Sequence, residues 1–210
     1  MEKIPVRFAG DGVVSISFES NLRDWTAGLS EFKRTQLPFA TAKALTDVAR
    51  YDVKPAIERQ IEMVFDRPTP FTRRGVGYRP AYKNAPVARV FIKDVQAGYL
   101  TWQETGGVRT PKRRAIVVPV RQRVNQYGNL PRGSVQRLLA RKDTFSGRVN
   151  GQGGIWQRTR KGGLKLLVAY EDRAEYRPIF NFHKVAREAA ELHFPRRFGA
   201  ALARAIATAH

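Results

Sequence analysis

The segment Asp66-Arg67-Pro68-Thr69-Pro70-Phe71 divides this chain into two kinds of pattern. Two prolines two residues apart cannot lie inside a regular helix, because each lacks an amide donor and its ring clashes with the preceding turn. Before this segment apolar residues recur at spacings of three and four; after it they come in short β-branched runs among glycines. At this point the pattern passes from helices to strands.

Val13-Val14-Ser15-Ile16-Ser17-Phe18 reads as a short strand after an Asp11-Gly12 turn. Asn21 suits the cap of a helix carrying Leu22, Trp25, Leu29 and Phe32 on one face. That helix is expected to stop near Gln36, since Pro38 disfavours helical geometry in Leu37. A second helix should begin there, with Pro38 in its first turn. Ala42, Leu45, Val48, Ala49, Ile57, Ile61 and Val64 carry its stripe to about Phe65, and Pro55 marks a kink or a break.

Beyond the proline pair, 88–93, 115–120 and 164–170 read as strands. Asn125-Gln126-Tyr127-Gly128-Asn129, Gly147 and Gly151-Gln152-Gly153-Gly154 make the intervening stretch a region of turns, with the glycine cluster as a flexible loop tip and a helix at Ser134–Lys142. Phe182–Thr208 reads as a closing helix with Val185, Leu192, Phe198, Leu202 and Ile206 as its apolar positions and an interruption at Pro195. The order predicts one α+β domain over 1–210. It has a strand plus helices (1–66), a small mainly antiparallel sheet with long basic loops or arms (67–170), and a C-terminal helix (171–210).

Charge is distributed along the same divisions. Residues 67–170 hold 22 Lys and Arg against Asp94, Glu104 and Asp143, a net of +19, while 1–66 come to 9 minus 10 and 171–210 to 7 minus 5, together the formal +20. An ordinary soluble surface intersperses both signs, so one stretch is expected to face something anionic. The candidate contacts with DNA or an acidic partner are Arg73 and Arg74, Lys112, Arg113 and Arg114, Arg121 and Arg123, Arg141 and Lys142, and Arg158, Arg160 and Lys161. Arginine predominates among them, which favours bidentate contact with phosphate or carboxylate. Trp102, Tyr127 and Trp156 lie among these bases and are read as packing residues before they are read as stacking platforms.

Catalytic chemistry has few candidates. The absence of cysteine excludes disulfides, thiolate metal sites and a Cys nucleophile. His183 and His193 are ten residues apart, about 80° off a shared helical face, and His210 is terminal, so no common metal is expected and the imidazoles read as surface or half-buried groups. The glycine cluster lacks the ending of a P-loop, and Ser134 does not sit in a nucleophile elbow. Glu171, Asp172 and Glu175 read as acids paired with Arg173 and Arg177. The expectation is a chain with no enzymatic activity, cofactor, metal or small-molecule substrate. Met1–Arg7 lacks the apolar run of a secretory signal, and no uncharged stretch of about 18 residues could cross a bilayer, so no membrane association is expected.

Leu37-Pro38-Phe39-Ala40-Thr41-Ala42-Lys43-Ala44-Leu45-Thr46-Asp47-Val48-Ala49 and Val64-Phe65-Asp66-Arg67-Pro68-Thr69-Pro70-Phe71-Thr72 resemble the prophage minor tail protein Z family, the tail completion proteins of long-tailed phages. Tyr176-Arg177-Pro178-Ile179 and Phe194-Pro195-Arg196-Arg197-Phe198-Gly199-Ala200-Ala201-Leu202 are similar to that family's closing segment. The matched segments carry no catalytic motif, and the basic middle aligns only by character. The resemblance implies a virion structural protein of the tail or neck, assembled in the host cytoplasm, that joins head to tail as a homo-oligomeric ring. Its implied partners are a connector, tail terminator or tail tube, and packaged DNA. The competing expectation is a stand-alone nucleic-acid-binding protein without sequence specificity, since phosphate contact needs no recognition motif.

Overall fold

A computed structural model describes residues 15–19, 31–111 and 114–208. In chain order the elements are β1 (Ser15–Glu19), α1 (Glu31–Asp47), a π-helical segment (Val48–Val53), α2 (Lys54–Val64), α3 (Pro70–Arg73), β2 (Val76–Arg79), β3 (Val87–Ile92) and α4 (Asp94–Thr105). There follow β4 (Gly107–Arg109), β5 (Ile116–Pro119), α5 (Ser134–Leu139), β6 (Thr144–Val149), β7 (Gln152–Arg158), β8 (Leu164–Glu171), β9 (Ala174–Tyr176) and α6 (Phe182–Ala207). The fold is α+β, with a strand and helices in the first part of the described chain, small antiparallel sheets, and a long C-terminal helix. Contacts group the elements into two compact units, Met1–Glu104 with Pro178–His210, and Thr105–Arg177. The basic stretch is therefore shared between two bodies.

In the first unit an antiparallel sheet of order β1-β3-β2 lies with the helices around one core. Leu45, Val48, Val53, Ile57 and Ile61 from the helical run meet Val90 and Ile92 of β3 and Phe180, Phe182, Ala186 and Ala190 at the start of α6. The period-3.6 stripe read from Ala42 to Ile61 is the buried face. The stripe expected on α6 is not. Leu192 and Ile206 are exposed, and the buried positions are Phe182, Ala186, Ala190 and Ala205. Small residues, matched by Ala40 and Ala44 on α1, let the two helices pack closely.

Two prolines behave differently from expectation, for one physical reason. Pro38 lies inside α1 instead of starting a helix after Gln36, and Pro195 lies inside α6 without interrupting it. Each removes a single amide donor, and packing on both sides carries the helix through the gap. On α1, Ala40, Thr41 and Ala44 are buried just beyond Pro38, and the Thr41 hydroxyl donates to the Leu37 carbonyl at 2.8 Å. On α6, Phe194 and Phe198 stack across the proline turn at 5.7 Å. Pro55 stands at a boundary between two helical elements, one of the two outcomes expected. The turn before it widens to the π-helical spacing, and Pro55 falls in the first turn of α2, where its missing N–H costs nothing. The Asp11-Gly12 turn and most of the helix expected from Asn21 lie outside the described residues.

The second unit is a four-stranded antiparallel sheet of order β5-β8-β7-β6, with a short β4-β9 ladder beside it in sequence. The region read as turns is largely this sheet. Asn150 and Gly151, with φ of 48° and 83°, form the two-residue turn of the β6–β7 hairpin, and Gln152, Gly153 and Gly154 are strand residues. Gly154 is required there, since a Cβ would stand 2.4 Å from the Val168 carbonyl oxygen of the neighbouring strand. On one face, Leu138 of α5 packs against Ile155, Leu167 and Val168. Five elements, α3, β2, α4, β4 and β9, stand where no element was expected. Four residues of β2 and the buried Gln96, Ala97 and Leu100 of α4 are too short or too mixed to show a period.

Candidate polyanion-binding groove

Thr105–Arg177 contains 17 Lys and Arg against Asp143, Glu171, Asp172 and Glu175. Three of its arginines converge. Arg123, Arg137 and Arg141 line a groove of about 490 Å³ between the 122–126 segment and α5, together with the amides of Gln122, Asn125 and Gln126.

Local structure explains the convergence. β5 ends at Pro119, and the Val120 and Arg121 amides both donate to the Leu167 carbonyl, which pins the chain as it leaves the sheet toward Arg123. The 125–129 turn is closed from within. The Asn125 side-chain carbonyl accepts from the Tyr127 and Asn129 amides at 3.0 Å each, and the Asn125 amide donates to the Asn129 carbonyl at 2.8 Å. On the opposite wall α5 is anchored by Leu138 in the core, and by Ser134, whose hydroxyl donates to the Pro131 carbonyl at 2.6 Å. Arg137 lies on α5 and Arg141 two residues past its end, and both line this wall of the groove. The Arg137 guanidinium donates to the Ser134 hydroxyl at 3.2 Å, which steers it along the wall.

Arg141 is held differently. Its guanidinium forms a two-pronged pair with Asp143, at 3.0 and 2.6 Å, and the Asp143 carboxylate also accepts from the Gln157 amide of β7 at 2.8 Å. The Arg141 hydrogen bond, and then that of Gln157, hold the Asp143 carboxyl down to about 2. Asp143 stays ionised at any ordinary pH, and Arg141 is raised further above its already high value. Both side chains are over 40% exposed, so the pair orders the guanidinium more than it stabilises the fold.

Of the residues expected from sequence, Arg123 and Arg141 line the groove. Arg114, Arg121 and Lys142 are exposed in the same unit but are not part of the groove lining, and Arg160 and Lys161 sit in the exposed turn between β7 and β8. Arg158 lies over the Phe145 ring at 4.5 Å, a cation–π contact. Arg73 and Arg74 belong to the first unit, where Arg73 stands 3.4 Å from Glu62 and the Arg74 guanidinium donates to the Pro70 carbonyl. Lys112 and Arg113 lie outside the described residues. Arg137 and the three amides were not singled out from sequence, although the four-residue spacing to Arg141 within the expected Ser134–Lys142 helix was a usable signal.

Trp102, Tyr127 and Trp156 are half-buried. Trp156 stands opposite Phe145 in the β6–β7 ladder, and its buried indole N–H meets no acceptor among the described residues. The acids at the end of the sheet do not pair as expected: among the described residues, Glu171, Asp172 and Glu175 make no ion pair with Arg173 or Arg177. The two described histidines meet carboxylates, His183 on Glu104 at 2.8 Å and His193 3.9 Å from Asp52. Compared with known protein families, with curated proteins and with solved structures, the chain finds no match in any of the three.

Proposed function

We propose that this chain is a phage virion structural protein of the tail completion or neck type. It acts without catalysis in head–tail joining, as a ring subunit whose basic unit faces DNA in the channel or acidic faces of neighbouring neck and tail proteins. The observation that carries the reading is the charge of Thr105–Arg177, 17 bases against four acids on a unit of its own, while the other unit is built around helices. Two of the segments resembling tail completion proteins, Leu37–Ala49 and Phe194–Leu202, are remote in sequence yet lie on elements that pack together in the first unit, α1 with its π-helical continuation and α6. A division between a helical body for subunit contacts and a basic body for a polyanion suits a ring around a channel.

Particles purified from a host that carries the gene test the proposal directly. Mass spectrometry should find the chain in tailed particles, and light scattering of the purified protein should find an oligomer. A monomer that binds duplex DNA tightly at physiological salt and is missing from particles would overturn the proposal in favour of a stand-alone nucleic-acid-binding protein.

A further inference from the structure

The groove has more chemistry than positive charge. Three guanidiniums present planar donor forks, which match phosphate oxygens two at a time. The Gln122, Asn125 and Gln126 amides stand beside them as neutral groups that both donate and accept, the kind of partner that sugar and base edges require. Apolar lining is confined to Val124, Pro131 and Leu138, too little to anchor the side chains of a docked peptide, whose binding energy comes from filled apolar holes. One anion already occupies part of this chemistry. Asp143, the only acid between Glu104 and Glu171, takes both prongs of Arg141 at the groove wall.

We propose that the Arg123–Arg137–Arg141 groove binds the phosphodiester backbone of nucleic acid, and that Asp143 is its internal competitor, exchanging Arg141 with an incoming phosphate. The inference rests on the reading of Thr105–Arg177 as a polyanion-facing unit, and it gives that unit one defined seat instead of a diffuse field. Arg123 and Arg137 are open to the ligand first, since among the described residues neither is paired with a carboxylate, and Arg137 donates only to a neutral hydroxyl. Arg141 joins when phosphate outcompetes the carboxylate, so Asp143 sets a threshold below which weaker anions do not engage the second fork.

The test uses the purified full chain, with fluorescein-labelled dT12 and a 12-bp duplex as probes, unlabelled polyglutamate as competitor, and anisotropy read over a range of salt. R137Q should weaken binding at least tenfold and reduce the salt slope by about 0.7 on the single strand. R123Q, on the other wall, should act in the same direction. D143N should tighten binding at least threefold, and more than E175Q, which changes net charge equally at an exposed site away from the groove. The double variant R160Q/K161Q, two exposed bases outside the groove, should have less effect than R137Q alone. Equal losses in R137Q and R160Q/K161Q would mean a diffuse field and overturn the groove. Equal gains in D143N and E175Q would overturn the competitor role. Polyglutamate that displaces the probe as well as unlabelled dT12, with the same dependence on Arg137, would reassign the groove to an acidic protein partner. Whichever probe binds better, single strand or duplex, identifies the source of the phosphodiester. None of these outcomes depends on whether the chain is found in particles, so a failed groove and a failed structural role are separable.

Discussion

Glu104 shows how much one side chain can hold. Its carboxylate accepts from the Phe182 amide at 2.7 Å and the His183 amide at 3.3 Å, and meets the His183 ring at 2.8 Å. The residue before α6, Asn181, is left-handed and provides no side-chain cap, so an acid from the end of α4 caps the helix. Burial raises the Glu104 carboxyl, but the hydrogen bonds from His183 and the two amides outweigh it and leave it below the ordinary 4.5. A carboxyl depressed in the folded state stabilises fully above the unfolded value and loses that contribution as pH falls through the folded one. E104Q should therefore cost about 1–2 kcal/mol at pH 7, and the gap between its urea midpoint and the wild-type midpoint should narrow as pH falls below the ordinary 4.5. A gap independent of pH would show that the charge is not what caps the helix. At Gly154 the constraint is steric: a Cβ would meet the Val168 carbonyl oxygen at 2.4 Å and Leu166 Cδ1 at 2.6 Å. G154A should lower the midpoint by an amount equivalent to about 1–3 kcal/mol, whereas G151A keeps open space around its Cβ and carries only the strain of φ 83°. G154A as stable as wild type would mean that the strands part at no cost.

At the scale of elements, the π-helical segment joins the halves of the helical body. It buries Asp52, whose carboxylate takes both prongs of Arg197 from α6 at 2.8 and 3.0 Å. The wide turn lets the chain approach Pro55 without a clash, and the ion pair fixes its register against α6. Removing Arg197 leaves a buried carboxylate without its main partner, but the guanidinium is 29% exposed, which discounts the loss to about 1–3 kcal/mol. R197Q should lower the thermal midpoint by several degrees while R196Q, its exposed neighbour, shifts it little; equal shifts would remove Asp52–Arg197 from the list of fold-holding contacts. The β6–β7 hairpin was legible in principle. Asn150-Gly151 is the strongest short hairpin signal, but two further glycines within the next three positions and the sparse β-branched content of Thr144–Val149 hid the period of its strands. Gly154 is there because strands pack against it, a reason that no local pattern carries.

For the whole molecule, the charge imbalance is the property with the widest consequence. The two units carry 21 bases against 14 acids and 17 against four, so the smaller unit carries the larger net charge, +13 of the +20. If that unit meets a polyanion in the assembled particle, neutralising Lys112, Arg113 and Arg114 together should leave the circular dichroism spectrum and melting temperature intact yet reduce infectious yield. Undiminished infectivity in the triple variant would show that this cluster takes no part in assembly. The α+β class and the placement of positive charge along the chain were determined by the sequence alone, because they depend on local period and on counting charges. The tertiary structure decided which prolines are absorbed and which basic residues act together. Helix continuity through Pro38 and Pro195 depends on burial supplied by distant segments, and the meeting of Arg123 with Arg137 and Arg141 depends on a turn and a short helix anchored to the same sheet. Such convergence is set by non-local packing, which a linear spacing does not encode.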